Sequence, residues 1–200
     1  MKVAWISPKG YGLGIARSIR DQGHQIVVYS PLLHDLPTVE KHQLAFFSQK
    51  ADLVVIDGPF PLEPTRHSWK PAREAVFIDE LRRHYNVLAL GPTPTVDLLV
   101  GDARYLRKNC RRLGIPYDRG GTGELWTSGA WFRKDAIIPD GPFVRSFLPI
   151  FKAVGFRGWF ELTGVLQEGI PVVSGCQAVW AEDTIPEGRE AEFLQQMMAQ

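Results

Sequence analysis

Cysteine is scarce, and the two that occur lie far apart. Cys110 and Cys176 are the only ones in 200 residues. They lack the short spacing of a metal clip or redox pair, which fits a reducing compartment and makes the cytoplasm the expected location. Cys110 falls on the apolar stripe of an expected helix, where an inert buried thiol is favoured over a nucleophile. Charge of either sign is not in surplus, since 23 Lys and Arg face 22 Asp and Glu for a formal net charge of +1. No global field therefore draws the chain to nucleic acid or to an anionic membrane, and such binding would need a local patch. Long hydrophobic runs are missing too. The stretch Asp52 to Ile56 with its flanks is far short of the roughly 20 residues that span a bilayer, so no membrane segment is expected. The opening Met-Lys-Val-Ala-Trp-Ile-Ser meets a Pro-Lys-Gly turn at once and reads as a first strand rather than a secretory signal. The five histidines are scattered, His24, His34 and His42 among them, without the paired spacing of a metal site.

What is present is an ordinary globular composition, 44% hydrophobic, arranged as alternating strands and helices. Residues 2–7 read as a strand. Leu13, Ile15, Ala16 and Ile19 recur at helical spacing over 12–22, and 25–30 is again strand-like, after a stop at Gly23. A helix is expected over 38–49, a strand over 52–57, a Pro-rich loop over 58–71, a helix carrying Ala75, Ile78, Leu81 and Tyr85 on one face, and a strand over 86–90. Strands alternating with helices imply a parallel sheet covered on both faces, with ligands at the carboxyl ends of its strands. After Gly91-Pro92-Thr93 the character changes. A helix over 102–113 turns Ala103, Leu106, Cys110 and Leu113 inward, and a hairpin is expected over 124–132 around Ser128-Gly129. Another helix carries Phe143, Phe147, Phe151 and Val154, a second hairpin folds at Glu168-Gly169, and the tail over 187–200 reads as helical. No internal repeat appears, and a lobe boundary is placed near residue 92, giving lobes 1–92 and 93–200.

Two segments are candidates for ligand contact. The first turn, Ser7-Pro8-Lys9-Gly10-Tyr11-Gly12-Leu13-Gly14, joins a strand to a helix N-terminus. Free N–H groups and the helix dipole favour an anion there, and Lys9 could add a charge. Its spacing is neither the dinucleotide fingerprint nor a phosphate loop, so Gly10 and Gly12 serve either an anion or the turn geometry alone. The second segment, Asp57-Gly58-Pro59-Phe60-Pro61-Leu62, leaves a central strand at its carboxyl end, where Asp57, Gly58 and Pro59 either contact a ligand or simply cap the strand. Arg104, Arg107, Lys108, Arg111 and Arg112 form a charge run that is more ordinarily a solvated helix face than a phosphate-binding one. Glu161 alternates with apolar residues and points either into a cleft or to solvent. No Ser/His/Asp or Cys/His arrangement is discernible.

The run from Gly91-Pro92-Thr93 through Gly101-Asp102 to Leu113-Gly114-Ile115-Pro116 resembles, without a gap, the segment joining the N-terminal domain to the ATP-grasp domain in the phosphoribosylamine glycine ligase (glycinamide ribonucleotide synthetase) family. The Met1-Lys2-Val3 strand with its glycine turn, and Val54-Val55-Ile56-Asp57-Gly58-Pro59 followed by Pro61-Leu62, are similar to that family's N-terminal domain in order and spacing. Trp131-Phe132 and Ala153-Val154-Gly155-Phe156-Arg157-Gly158 resemble its later ATP-grasp strands and the helix before its metal-binding strand. The resemblance implies a Rossmann-like (pre-ATP-grasp) parallel-sheet lobe followed by a reduced ATP-grasp-derived α+β lobe. In that family an acyl phosphate made from ATP and Mg²⁺ joins glycine to phosphoribosylamine, a step that needs cations around the triphosphate and oxygen ligands for the metal.

The chain departs from the family at those positions. The lysine expected after the Gly-Asp pair is Ala103, and the central module with its ATP-binding lysine and glycine-rich lid is largely absent between Pro116 and Glu124. Where the family has Leu-Glu-Phe-Asn-x-Arg for magnesium, the chain has Val173-Ser174-Gly175-Cys176-Gln177-Ala178. At the first turn only Gly10 matches by position. The expectation is a protein that has lost ATP-dependent ligation and acts in binding, with a nucleotide or phosphosugar at Lys9, Gly10, Gly12 and the Gly58 loop, or in assembly as a homo-oligomer or a subunit. The alternative is an active ATP-dependent carboxylate-amine ligase of purine biosynthesis type, with ATP and Mg²⁺ as cofactors and Glu161, Glu182 and Asp183 as substitute metal ligands. Binding of nucleic acid through Arg104 to Arg112 is disfavoured and would show as salt-dependent affinity.

Overall fold

In the computed structural model, residues 1–32, 34–85, 87–132, 137–139, 143–180 and 190–198 are described. The chain runs β1 (Lys2–Ile6), α1 (Leu13–Asp21), β2 (Gln25–Tyr29), α2 (Leu44–Lys50), β3 (Leu53–Ile56), β4 (Glu63–Pro64), β5 (Trp69–Lys70), α3 (Arg73–His84) and β6 (Ala89–Leu90). It continues through α4 (Pro94–Gly101), α5 (Ala103–Arg112), β7 (Glu124–Phe132), β8 (Ile137–Pro139), α6 (Leu148–Ala153), β9 (Gly158–Gln167), β10 (Ile170–Gln177) and α7 (Glu190–Met198). No helix among the described residues is long and apolar enough to cross a membrane.

The first sheet has the order β2-β1-β3-β6 and is parallel throughout, with Ala4 paired to Val27 on one side and to Val54 on the other. Beyond the exposed Lys2 and Gln25 that open β1 and β2, its strands are almost wholly apolar because both faces are covered. Side chains alternate between two cores. Val3, Trp5, Val28, Leu53, Val55 and Leu90 face α1 and α7, while Ala4, Ile6, Val54, Ile56 and Ala89 face α2 and α3. The second sheet has the antiparallel order β10-β9-β7-β8. One of its faces rests on α4, α5 and α6 through an aromatic core in which Phe132, Phe147, Phe151, Phe156 and Phe160 lie with ring centroids 4.6–6.4 Å apart.

Local signals set the connections. Thr93 caps α4, accepting from Val96 N, and Pro94 fills its first turn. Asp102 then ends α4 and caps α5, accepting from the backbone N–H groups of Arg104 and Tyr105. The five basic residues of α5 lie exposed while Leu106 and Cys110 are buried, so the charge run is a solvated face.

Two expected elements differ in the structure. The segment 124–132 is not a hairpin: β7 runs straight through Ser128-Gly129, paired with β9 over nine residues. Gly129 lacks a side chain because the Trp159 indole lies across it, where an added Cβ would sit 2.1 Å from the ring. The glycine marks close approach, not a turn. The expected helix over 38–49 begins late. Val28 N–H donates to Pro37 O and Val39 N–H to Val28 O, so residues 37–39 extend the sheet edge. A single 3₁₀ turn over Lys41–Gln43, boxed by Glu40 and Gln43, then leads into α2.

The chain past β10 returns to the first sheet. Trp180 is fully buried against Trp5, edge to face at 6.2 Å, and Leu194 and Met197 of α7 complete the same core. Gln22 at the end of α1 bonds both Glu190 and the Ala191 N–H. The first sheet therefore draws part of its cover from the far end of the chain. Trp180→Ala should lower unfolding free energy by about 3–5 kcal/mol through the cavity it leaves. Urea unfolding followed by fluorescence checks this, and a cost below about 1 kcal/mol would show that the C-terminal segment does not complete the core.

Candidate functional site

The strand order places the switch point of the first sheet between β1 and β3, since the chain moves to one side of β1 to make β2 and crosses to the other to make β3. In open parallel sheets that crevice, outside the carboxyl ends, is where ligands sit. Both candidate segments meet there. The turn after β1 carries Ser7 to Gly12, and Asp57-Gly58-Pro59 follows β3.

What fills the crevice is a side chain of the protein itself. Asp57 is fully buried, and its Oδ2 accepts from Gly12 N–H at 2.7 Å, from Trp5 Nε1 at 3.1 Å and from the Ser7 hydroxyl in a short contact. Gly12 is the N-cap of α1, so the carboxyl group lies where the helix dipole would favour an anion. Close packing dictates the glycines. A Cβ on Gly12 would lie 2.8 Å from Asp57 Cβ and 2.7 Å from the Trp5 ring, and one on Gly58 would lie 2.9 Å from the Tyr11 ring. Burial pushes the Asp57 carboxyl above its ordinary range, against the three hydrogen bonds that lower it. Its Oδ1 has no hydrogen-bond partner among the described residues.

Of the residues expected to bind, Gly12, Asp57 and Gly58 are brought together, with Pro59 buried beside them. Lys9 is exposed, its Nζ 6.0 Å from the centroid of the Tyr11 ring, and Gly10 takes a positive φ of 80° in the turn. Glu161 stands on the face of the second sheet away from the aromatic core, where it accepts a 2.7 Å bond from Gln177 Nε2. Glu182 and Asp183 lie outside the described residues. Among the described residues, no three His, Cys, Asp or Glu side chains converge as metal ligands.

A second buried polar group, unmarked by any motif, lies where α3 meets α4. Asp97 is 1% exposed, and its Oδ1 accepts from Phe60 N–H at 3.2 Å while Oδ2 has no hydrogen-bond partner among the described residues. Burial holds its carboxyl well above the ordinary range, against Phe60 N–H and the charges of Arg82 and Lys9. The Arg82 side chain is only 12% exposed, and desolvation depresses its guanidinium to about 10 despite Asp79. Its 3.6 Å approach to Asp79 is an ion pair too long to be a hydrogen bond. Beside this group, Gly91 N–H donates to Arg157 O and Trp180 N–H to Asp57 O, joining the first sheet to the chain that follows. An alternating pattern could have revealed Asp97 only as one acid in an otherwise apolar helix.

The cleft that remains open at this edge has a volume of about 310 Å³. It lies beside the Asp57 site, between Pro8, Tyr29, Phe60 and Leu62, with Glu63 and Glu74 among its lining residues.

No protein-family profile matches the chain, and no curated protein matches it. Solved structures do. N5-carboxyaminoimidazole ribonucleotide synthetase from Thermotoga maritima superposes with a TM-score of 0.57 at 10% identity, over 88% of this chain and 67% of that one. Glycinamide-RNase-transformylase T from Mycobacterium tuberculosis gives 0.61 at 12% identity, over 91% and 72%. D-alanine–D-alanine ligase from Bacillus anthracis, complexed with ATP, gives 0.60 at 11% identity, over 100% and 96%. The likeness is one of fold: a mixed α/β chain with a parallel and an antiparallel sheet, of the ATP-grasp kind.

Two substitutions test the buried carboxyl groups. Asp57→Ala should cost about 3 kcal/mol, because three buried donors lose their acceptor. Asp57→Asn should cost about 1 kcal/mol or less, since its amide oxygen can still accept all three; equal costs in chemical denaturation would contradict the assignment. Asp97 binds its proton more tightly folded than unfolded, so its contribution is full below pH 3.8 and is lost as pH rises from there through its raised folded value. Asp97→Asn should therefore flatten the fall in stability across that window, and an unchanged slope in Tm against pH would show that Asp97 does not titrate as described.

Proposed function

We propose that this chain is a non-ligating protein of ATP-grasp fold, derived from the glycinamide ribonucleotide synthetase type, that binds a small ligand at the carboxyl edge of its first sheet or holds a place in an assembly. The observation that carries this reading is Asp57. A phosphate at the start of α1 would need the Gly12 N–H that the Asp57 carboxyl already occupies, and would face that group across a buried, low-dielectric gap. Ligation by way of an acyl phosphate requires cations around a triphosphate and a divalent ion. On the open face of the second sheet, the cross-strand row Gly129–Glu161–Gln177 instead presents an acid with its amide partner. The passage from α5 to β7 supports the same reading, because residues 113–123 cover it in one short connection where the resemblance calls for a central module.

The fold shared with ATP-dependent ligases keeps a second reading alive: an active carboxylate-amine ligase that uses ATP and Mg²⁺, with Glu161, Glu182 and Asp183 holding the metal. Lys9, Gly10, Gly12, Asp57, Gly58 and Pro59 are then the ligand-binding edge in either case, with Lys9 as the group free to reach outward. A cytoplasmic location belongs to the same proposal, supported by the scarcity and wide separation of Cys110 and Cys176.

Incubation of the full chain with ATP, Mg²⁺, an amino acid and an amine separates the readings. The expected result is no ADP above background. Release that depends on Mg²⁺ and disappears in Glu161→Gln would establish the ligase and remove the non-ligating reading.

A further inference from the structure

We propose that the 310 Å³ cleft beside Asp57 takes a small organic cation, a primary ammonium carried on an apolar body. This rests on the reading that the carboxyl edge of the first sheet is a ligand site, and it narrows the ligand to a class. The volume is at the small end of ligand pockets, which run from about 300 to 1,000 Å³ and pair apolar walls with a few polar groups that fix orientation. The walls here are of that kind, built from Pro8, Pro31, Phe60, Leu62 and Ala72, with the Tyr29 ring at one side.

The charged groups lining the cleft are Glu63 and Glu74. Glu74 is only 17% exposed, and Lys41 beside it holds its carboxyl below the ordinary range. Lys70, at 2.9 Å, does the same for Glu63. Both acids are thus ionised at neutral pH and offer acceptors toward a cation. The cations that act on these acids, Lys41, Lys70 and Arg73, all stand outside the lining, so a phosphate in the cleft would meet the acids first.

The two lysines point to the ligand class in another way. Their side chains are 66% and 52% exposed, outside the lining, so each ammonium reaches its carboxylate from solvent. Exposed pairs of this kind are weak, because the long side chain loses freedom and water screens the charge. A ligand ammonium arriving from within, with its carbon body against proline and phenylalanine, adds apolar burial that the lysine lacks. Lys41 and Lys70 act as tethered, displaceable occupants of the two subsites.

The test is a titration of the ¹⁵N-labelled full chain with phenethylamine, with phenethyl alcohol as its neutral counterpart and ribose 5-phosphate as the anionic one. The amine should give saturable shifts at the amides of Leu62, Glu63, Ala72 and Glu74, and the alcohol should bind more weakly. Glu74→Gln should weaken the amine by roughly tenfold, the scale of one charge-assisted contact, with Glu63→Gln acting in the same direction. Lys41→Gln should strengthen it by removing the rival. Equal shifts from amine and alcohol, an amine titration unmoved by either glutamine variant, or no saturable shift at all would overturn the proposal. Shifts from ribose 5-phosphate at Gly12 and Gly58 without any from the amine would remove it while keeping a ligand site at this edge. ADP release in the ligase assay would remove the non-ligating reading and leave the cleft result untouched.

Discussion

One carboxyl group organises the centre of the molecule. Asp57 directly follows β3, reaches across to β1, and satisfies a backbone donor at the start of α1, an indole and a hydroxyl in a fully buried position. Desolvation raises its proton affinity, while the three donors favour its charge. The Gly12 backbone comes close because it carries no side chain, whose Cβ would meet Asp57 Cβ at 2.8 Å. The same residue's carbonyl accepts from Trp180 N–H, so the site that closes the switch point also anchors the returning chain.

The consequences spread outward through packing. With Trp180 held against Trp5, α7 can lie beside α1, and residues distant in sequence share one core. The other tie, from Gly91 N–H to Arg157 O, brings the start of β9 against the end of the first sheet. Near it Asp97 and Arg82 are buried with polar atoms that no described group satisfies. Buried charge of this kind is costly and is weak support for stability. It fits a junction set by geometry more than by strength. The open cleft lies just beyond this sealed region, lined by the proline-rich loop after β3 and the first turn of α3.

Much of the architecture was legible in the sequence. Unbroken apolar strands such as Leu53–Ile56, between segments of helical period, determined a parallel sheet covered on both sides. Asp102 marked a helix start because capping is a local property, whereas α4, capped by Thr93 and begun by Pro94, was not expected from the sequence. Gly129 misled, since a glycine after serine in an apolar stretch signals a turn, and only the Trp159 indole across the sheet reveals its other use. The candidate site was legible in part. Asp57 and Gly12 could be named from strand ends and a helix start, but their direct bond could not, because it joins residues 45 apart through the sheet order. Asp97, Arg82, Glu63 and Glu74 gave no pattern at all, as their roles arise from burial and from which helix faces which.

The account stands on the Asp57 carboxyl group, rather than any bound anion, occupying the Gly12 N–H. The most direct measurement follows the Gly12 amide proton by NMR as pH is raised from acid to neutral in the unliganded chain. Its shift should titrate with a midpoint above 3.8 and become flat in Asp57→Asn. A Gly12 signal indifferent to both pH and that substitution would contradict the account.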